Sequence, residues 1–425
     1  LTGQTVVQPT RRPNARLQVL VEGPTQQDVA YGSFAAGTGS RLLWDLLRRE
    51  GLAPTDVDVT SALLCRTKRR ISKKDLKTAL RCCAPRLERD LAESVPSVVL
   101  ALGARALQAL TGKAQITVWM GSPLPITTWK GTKRKPGNAA IAARRVLPTV
   151  STNACWADPF SKPYFSAHVK RAVRLAAGTL PEWRWPRIVT SFDTDEAGLL
   201  AALDEVAQAP YLATDTETAG LHYYDELKDV AISSETLSVC VQWLTASDTV
   251  KARVKAILEN STPKALQNGM FDYFVFRANR IALGGFVWDT ALGSAVISPR
   301  LPKKLGHQMC LYSDAPRFKS DFKAGNKNPW KSEKKARERA DYCAKDAYST
   351  LWLALRVQPA LLAKTNRGIE QFDDLMAELK IAIKMRDYGV DIDTTRHAGI
   401  TGRLELTLAI VAALLQLKVH EVGFV

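Results

Sequence analysis

Acidic side chains recur in a fixed order through the middle of the chain. Asp215 and Glu217 end an apolar strand, and alternation along a strand places both side chains on the same face. Asp272 follows at the start of a predicted helix, and Tyr342 and Asp346 lie one turn apart on another. Adjacent carboxylates repel one another, so the set favours a hard divalent cation. For any one of these acids taken alone, the alternative to metal binding is a polar residue at a strand end that faces water.

The order and spacing of these residues resemble the 3′→5′ exonuclease domain of family A DNA polymerases, which has a ribonuclease-H-like fold. The resemblance covers nearly all of residues 188–364. The matching stretches are Asp215-Thr216-Glu217-Thr218, Asn268 to Asp272 followed by Asp289-Thr290, and Tyr342 to Asp346 followed by Ala347. Met270 departs from the pattern, because relatives usually carry Lys there, and we expect it to modify contact with DNA only.

The resemblance implies a cofactor and a role for each residue. Two Mg²⁺ or Mn²⁺ ions would supply a hydroxide nucleophile and stabilise the leaving 3′ oxygen. Asp215 would bridge the ions, with Glu217 and Asp346 completing the first site. Asp272 would hold the second ion through water. Tyr342, with an ordinary pKa of about 10, is too weak an acid to be an anionic base, so it would orient the attacking water.

Other residues are candidates for contact with nucleic acid, as a single-stranded 3′ end or a primer-template. The resemblance implies this role for Asn268 and Asp289. A basic loop beyond them would either bind phosphates or form a solvated charge run. Its side chains are Lys319, Lys323, Lys327, Lys331, Lys334 and Lys335.

The pattern of predicted strands and helices indicates two α/β regions joined by a linker, and these elements position the residues above. In residues 1–176, apolar strands alternate with amphipathic helices, which is typical of a layered fold with a largely parallel sheet. The predicted elements there are strands Leu17–Glu22 and Ser97–Leu102 and helices Gly39–Glu50 and Lys74–Leu91. Prolines break the pattern in residues 177–187, whose Trp183 and Trp185 are expected to pack on a neighbour.

Residues 188–364 form the second region, and their pattern again alternates between strands and helices. The predicted elements are strands Tyr211–Asp215, Leu237–Leu244 and Lys264–Gln267 and helices Ser247–Glu259 and Ala336–Val357.

The first region resembles the uracil-DNA glycosylase superfamily, closest to its family 4, which implies a three-layer α/β fold. The matching stretches are Leu20 to Pro24, Gly39 to Leu43, Val98 to Ala104 and Leu147 to Val150. Active members flip uracil out, stack it on an aromatic ring and read its edge with Asn. Glu22 keeps the acidic position and Phe34 is the candidate ring. Ser61 stands in place of the Asn, and Ser151 and Thr152 replace a catalytic His-Pro. The resemblance therefore predicts a binding or scaffolding domain without glycosylase activity.

Two cysteines of this region fall where family 4 relatives place iron–sulfur ligands. Cys65 and Cys83 match the second ligand pair, and the first pair would precede residue 1. A [4Fe–4S] cluster needs four thiolates, so it is expected only if an upstream Cys-x-x-Cys exists. Buried free thiols are the alternative.

Residues 365–425 are predicted to be helical. Glu378-Leu379 and Met385 to Asp393 resemble the opening of the family A polymerase domain, and Gly389 suits a helix C-cap. The chain is therefore interpreted as the start of a bacterial or bacteriophage family A replicative polymerase, with replication accessory proteins as possible partners. A stand-alone repair nuclease and a non-catalytic DNA-binding scaffold are the alternatives.

Composition agrees with a nucleic-acid partner. The 425 residues carry 59 Lys and Arg against 42 Asp and Glu, for a net charge of +17. Seven cysteines in a chain of this length favour a reducing compartment over a disulfide framework. No apolar run is expected to span a bilayer, so a cytoplasmic protein without membrane contact is predicted.

We predict that binding to DNA is mainly electrostatic, because each phosphate neutralised by Lys or Arg releases counterions. The logarithm of the affinity for a single-stranded oligonucleotide should fall linearly with the logarithm of salt, with a slope of about −0.7 per phosphate contact. Fluorescence anisotropy measures this, with Asp215 and Glu217 replaced by Ala to prevent digestion. A flat salt dependence would contradict the prediction.

Overall fold

The computed structural model describes residues 6–66, 72–126, 139–318, 333–389 and 394–421, with side chains described as far as residue 414. The chain divides into two compact units, Leu1–Met376 and Ala377–Val425. The first unit contains two β-sheets, each covered by helices.

The first sheet is built from short, almost wholly buried strands. They are β1 (Leu17–Val21), β2 (Val57–Ser61), β3 (Val98–Leu102), β4 (Leu124–Pro125) and β5 (Arg145–Thr149). Their order is β2-β1-β3-β5-β4, and all neighbours are parallel except β4 and β5. A run such as Val98–Leu102 is apolar at every position because a parallel sheet is covered on both faces.

Helices cover both faces of this sheet. They are α1 (Gln26–Tyr31), α2 (Arg41–Arg49), α3 (Lys73–Glu93), α4 (Ala104–Thr111), α5 (Ile116–Trp119), α6 (Ala139–Ala142), α7 (Thr152–Ala157) and α8 (Lys162–Ala176). One core contains α2 and α8 against Leu17, Val19 and Leu100. A second contains α3 and α4 against Leu20 and Val99 on the other face. The predicted three-layer α/β arrangement is confirmed.

The second sheet is mixed. Its strands are β6 (Arg187–Thr190), β7 (Leu212–Thr218), β8 (Leu227–Ser233), β9 (Leu237–Gln242), β10 (Lys264–Leu266) and β11 (Phe286–Asp289). The order is β11-β10-β7-β8-β9-β6, with β8 antiparallel to its neighbours β7 and β9 and the other pairs parallel.

The helices of this region are α9 (Glu196–Ala207), α10 (Asp248–Glu259), α11 (Met270–Ala278), α12 (Thr290–Ile297), α13 (Leu305–Tyr312), α14 (Glu333–Trp352) and, after a π-helical turn at Leu353–Val357, α15 (Gln358–Leu362). Helices α9, α10 and α11 share a core on one face of the sheet. On the other face α14 packs Ala340, Cys343 and Ala347 against Ala231 and Cys240. Small side chains on both surfaces allow the helix to lie close to the strands.

The predicted strands and helices are found within a few residues of their expected bounds, but β2, β6, β8 and β11 were not predicted, and β8 shows why. This strand carries Lys228 and Asp229 among its apolar residues, so its pattern is broken. Asp229 is fully buried because Arg339 of α14 pairs with it. Arg339 lies 110 residues away from Asp229 in the sequence, so no local pattern predicts the pair.

The tryptophans of the linker pack as predicted. The Trp183 ring lies 5.2 Å from Trp352 of α14, and the Trp185 ring lies 5.0 Å from Phe318. Both contacts are edge-to-face, a favourable arrangement for aromatic rings. The linker is thereby held against the second region.

A buried guanidinium joins the two regions directly. Arg171 on α8, with 4% of its side chain exposed, donates from Nε to Asp314 Oδ1 at 2.9 Å and from Nη1 to the Gly121 carbonyl at 2.6 Å. Arg174 adds a 3.3 Å contact to the same carboxylate. Leu301 of the second region completes the core beneath α8. The first unit is therefore one packed body with two sheets.

The second unit comprises Ala377–Val425. Helix α16 (Gly368–Tyr388) starts in the first unit, where Phe372 is 3% exposed and its ring lies 4.3 Å from that of Trp288. The first part of α16 therefore packs against the exonuclease region.

Helix α17 (Thr394–Glu421) follows in the second unit. Its stretch Thr394–Leu414 is long and apolar enough to cross a membrane, with a mean hydropathy of 1.2 and none of it buried. The expectation that no run reaches that length is wrong. The stretch includes Arg403 and Glu405, and helices that pack into soluble proteins also meet this test of length and composition.

We predict that Arg171→Met lowers the free energy of unfolding by about 2–4 kcal/mol, because it leaves Asp314 and buried carbonyls without their donor. Urea unfolding followed by tryptophan fluorescence measures the change. Arg48→Met is the control, since Arg48 and Asp45 form a pair that is more than half exposed on both sides. Equal stability of the parent and Arg171→Met would refute the prediction.

Candidate active site

Three of the predicted acids lie close together in the fold. Carboxylate oxygens of Asp215, Glu217 and Asp346 lie within 4.8 Å of one another, and no other group of three or more potential metal ligands occurs in the described ranges. Asp215 and Glu217 project from the same face of β7, towards α14. Asp346 is 5% exposed on α14. A strand and a helix far apart in the sequence thus build one carboxylate cluster.

Helix α14 is fixed in register on the sheet by polar contacts as well as by small apolar residues. Arg339 donates from Nε and Nη2 to the two carboxylate oxygens of Asp229, in a pair that is at most 3% exposed. Ser238 Oγ of β9 donates to the Ala344 carbonyl at 2.9 Å. These contacts lie on either side of Tyr342 in the helix and so set the position of Asp346.

Tyr342 belongs to the same site and stays protonated there. Its side chain is 4% exposed, and burial, together with the charges of Asp346, Glu217 and Asp215, raises the pKa of the Tyr342 hydroxyl far above its ordinary value. Its hydroxyl hydrogen-bonds to the Asp346 carboxylate, as the one-turn spacing predicted. A hydroxyl held in this way can donate a hydrogen bond but cannot act as an anionic base.

Asp272 lies beside the cluster and not within its group of three. It is 5% exposed at the first turn of α11, where Thr216 Oγ1 donates to its Oδ1 at 2.5 Å. Burial raises the pKa of Asp272 to about 7, opposed by the hydrogen bond from Thr216. Thr216 lies between the two acids in the sequence of β7, so this hydrogen bond fixes α11 to the same strand.

The predicted nucleic-acid contacts Asn268 and Asp289 have different environments. Asn268 is exposed and adopts a left-handed conformation with φ of 59°, which Asn tolerates better than most residues. Asp289 is 2% exposed and accepts hydrogen bonds from four backbone N–H groups. These belong to Asn268, Gly269, Ala291 and Leu292. The structure therefore has Asp289 positioning the Asn268 loop and capping α12, and its contact with nucleic acid stays a prediction.

A cleft of about 700 Å³ opens over the acids. Asp215, Tyr342 and Asp346 line its base, and cationic Lys304 and Arg317 line its side. The sequence did not single out either cation, although Arg317 begins the predicted basic loop. Of the lysines that it did predict, Lys319, Lys323, Lys327 and Lys331 lie outside the described residues. Lys334 and Lys335 begin α14, and Lys334 is exposed.

The first region has its own cleft, of about 370 Å³, which contains Glu22 and Ser151. Glu22 Oε1 accepts a hydrogen bond from Arg105 N at 3.0 Å. Ser151 caps α7 by accepting from Ala154 N at 3.2 Å. Both side chains thus bond to the backbone of the fold.

The other two residues predicted for this pocket are buried away from it. Phe34 is 2% exposed in the core with Leu43 and Phe165, and its role as the stacking ring stays a prediction. Ser61 is fully buried and its Oγ donates to the Leu63 carbonyl at 2.7 Å. Neither side chain has a face available to a flipped base.

The two candidate cluster cysteines are free thiols, each partly buried. Within the described part of the chain, Cys65 and Cys83 join no group of three or more potential metal ligands. The iron–sulfur expectation depends on residues before Leu1 and stays a prediction.

Comparison with known proteins assigns both regions. Residues 9–172 match the family model of the uracil DNA glycosylase superfamily. Residues 191–361 match a 3′-5′ exonuclease family model. No curated protein sequence matches the chain significantly. The predicted order of a glycosylase-like domain, a ribonuclease-H-like exonuclease domain and a helical segment is confirmed.

Solved structures resemble part of the chain. Escherichia coli RNase D, an exoribonuclease, is 20% identical over 48% of this chain and 51% of its own, with a TM-score of 0.37. The POL domain of Pol1 from M. smegmatis is 16% identical over 49% and 33%, with a TM-score of 0.38. Brucella melitensis NrnC with bound Mg²⁺ is 20% identical over 49% and 98%, with a TM-score of 0.36. The match therefore spans about half of RNase D and a third of the Pol1 chain.

We predict that the chain does not excise uracil, because Phe34 and Ser61 are buried and Ser151 caps a helix. A uracil-containing oligonucleotide should give no alkali-sensitive breaks above those of a thymine control. The assay uses the variant with Asp215 and Glu217 replaced by Ala, since exonuclease digestion would hide the breaks, and an active glycosylase as the positive control. Breaks that depend on uracil would disprove the prediction.

Proposed function

We propose that this chain, which carries a uracil DNA glycosylase superfamily domain followed by a 3′-5′ exonuclease domain, hydrolyses DNA from its 3′ end and releases nucleoside 5′-monophosphates. The carboxylate cluster of Asp215, Glu217 and Asp346, with Tyr342 bonded to it, supports the proposal most directly. The exonuclease family match covers all four residues.

The donor set fits divalent metal ions. Three carboxylates with oxygens within 4.8 Å of one another repel strongly, and hard oxygen donors are the ligands that Mg²⁺ and Mn²⁺ prefer. Asp215, Glu217 and Asp346 would hold the ions directly, and Asp272 would assist through water. When bound, the ions supply a nucleophilic hydroxide at neutral pH and stabilise the leaving oxygen.

The residues of the chain would perform the remaining steps. Tyr342 keeps its proton and is placed to orient a water molecule beside Asp346. Lys304 and Arg317 would bind backbone phosphates, offsetting the repulsion between the acids and the DNA. Gln267 lines the same cleft, held by a hydrogen bond from Thr290 Oγ1 to its Oε1 at 2.6 Å.

We also propose that the nuclease proofreads for a family A DNA polymerase of a bacterium or bacteriophage, in the cytoplasm and with replication accessory proteins. The support is the sequence resemblance of residues 365–425 to the start of such a polymerase. The backbone agrees with it at one point: α16 ends before Gly389, which has φ of +66° as a left-handed C-cap requires.

We predict that replacing both Asp215 and Glu217 by Ala reduces 3′→5′ digestion by several orders of magnitude, because the metal ligands on β7 are lost. The rate is measured with a 5′-labelled single-stranded oligonucleotide in Mg²⁺ and in Mn²⁺, and the product is identified as a nucleoside 5′-monophosphate. A ribo-oligonucleotide of the same sequence tests the preference for DNA.

The matched control replaces Glu196 and Asp248 by Ala. Both are exposed acids in the first turns of α9 and α10, which cover the opposite face of the sheet. It removes the same charge and should digest DNA at the parent rate. If the double variant at the site digests as fast as this control, the assignment of the active site is wrong.

A further inference from the structure

One wall of the nuclease cleft comes from the glycosylase-like region. Gln115, Thr117 and Val118 line the same cleft as Asp215 and Asp346, although they precede both acids by a whole domain. They belong to α5 and to the residue that caps it. Gln115 and Thr117 are exposed, so their side chains are open to a bound molecule.

The segment after α5 is held between the two regions. The Met120 carbonyl accepts a hydrogen bond from Cys310 Sγ of the exonuclease domain at 3.2 Å. Gly121 N donates to the Pro148 carbonyl at 2.8 Å, and the Gly121 carbonyl accepts from Arg171 at 2.6 Å. Two of these bonds fix the segment within the first region and the Cys310 bond links it to the exonuclease domain, so a shift of α5 would break buried hydrogen bonds.

Close packing at Gly121 fixes the same segment. Gly121 has φ of +79°, and a Cβ atom there would lie 2.5 Å from His168 Nε2, so only glycine fits. At the other end of α5, Lys113 Nζ lies 3.4 Å from the centre of the Trp119 ring, a cation–π contact. The wall is thus preorganised, which lowers the entropy cost of binding a ligand.

The two walls differ in chemistry. The exonuclease side presents the acids with Lys304 and Arg317, which suit metal ions and phosphates. The opposite side presents Gln115 and Thr117, which are neutral hydrogen-bonding groups, and the apolar surface of Val118. Neutral polar and apolar groups suit a base or sugar, since a base offers an apolar face and a hydrogen-bonding edge.

We propose that Gln115, Thr117 and Val118 bind the terminal nucleotides of a single-stranded 3′ end while the acids hold its phosphate; this rests on the proposed function. The cleft, at about 700 Å³, has the size of a small-molecule pocket and admits an unpaired strand end. The glycosylase-like region is therefore a substrate-binding part of the nuclease.

The test is the steady-state digestion of a single-stranded oligonucleotide by the full chain. Thr117→Trp places a bulky side chain where the nucleotide would bind and should raise KM about tenfold, the change expected when one base contact is lost. The kcat should stay within about threefold of the parent. Gln115→Ala removes a contact without adding bulk and should raise KM about threefold. Thr55→Trp, at an exposed turn outside the cleft, is the matched control and should keep the parent KM.

Two results would overturn the inference: parent KM values in both wall variants, or a loss confined to kcat, which would mean that α5 only holds the regions together. If the parent digests no DNA, the proposed function fails on that result alone. The affinity of the same oligonucleotide in Ca²⁺, from fluorescence anisotropy, then decides the inference. The inference is supported if Thr117→Trp weakens binding about tenfold, and it is refuted if the affinity is unchanged.

Discussion

The buried pair between Arg339 and Asp229 is the contact on which the active site depends most. The burial of Asp229 raises its pKa, and the guanidinium of Arg339 opposes that effect. Since a buried charge without its partner is costly, α14 has one favourable register against β8. That register sets Tyr342 and Asp346 opposite β7. The acids repel one another, so the cluster persists only because the helix is fixed by contacts outside it.

Buried amides provide the corresponding constraint on the other side of the site. Gln358 Nε2 donates to the Thr290 carbonyl at 2.8 Å and to Gln308 Oε1 at 2.9 Å. Gln308 in turn donates to Gln267 Oε1 at 3.1 Å. Because each side-chain amide is both donor and acceptor, the chain of bonds joins α15, α12 and α13 to the loop after β10. Asp289, which caps α12, accepts a hydrogen bond from the backbone of the same loop. The conformation of the loop that carries Asn268 is therefore fixed by buried polar groups whose hydrogen bonds are all made.

The parts of the site that the sequence predicted are those with local periodicity. Strand alternation placed Asp215 beside Glu217, and one helical turn placed Tyr342 beside Asp346. The missed parts depend on pairs that are distant in sequence. Arg317 and Lys304 reach the cleft through the tertiary fold of the exonuclease region, which the sequence around them does not specify. The environment of Phe34 also depends on distant residues: an aromatic residue near a motif can face the core or the pocket, and Phe34 packs in the core with α2 and α8.

The glycosylase-like region contributes buried polar groups to its contact with the exonuclease region. Its last helix, α8, holds His168, which bonds to Thr149 Oγ1 at 3.0 Å and to the Cys310 carbonyl at 3.3 Å. Burial beside Arg171 lowers the pKa of His168 to about 3, so the imidazole is neutral at any working pH and adds no second charge beside the guanidinium. The contact between the regions therefore has one buried cation and one carboxylate partner, Asp314. The same contact holds α5 over the acids, which makes the stability of the first region a condition for the shape of the cleft.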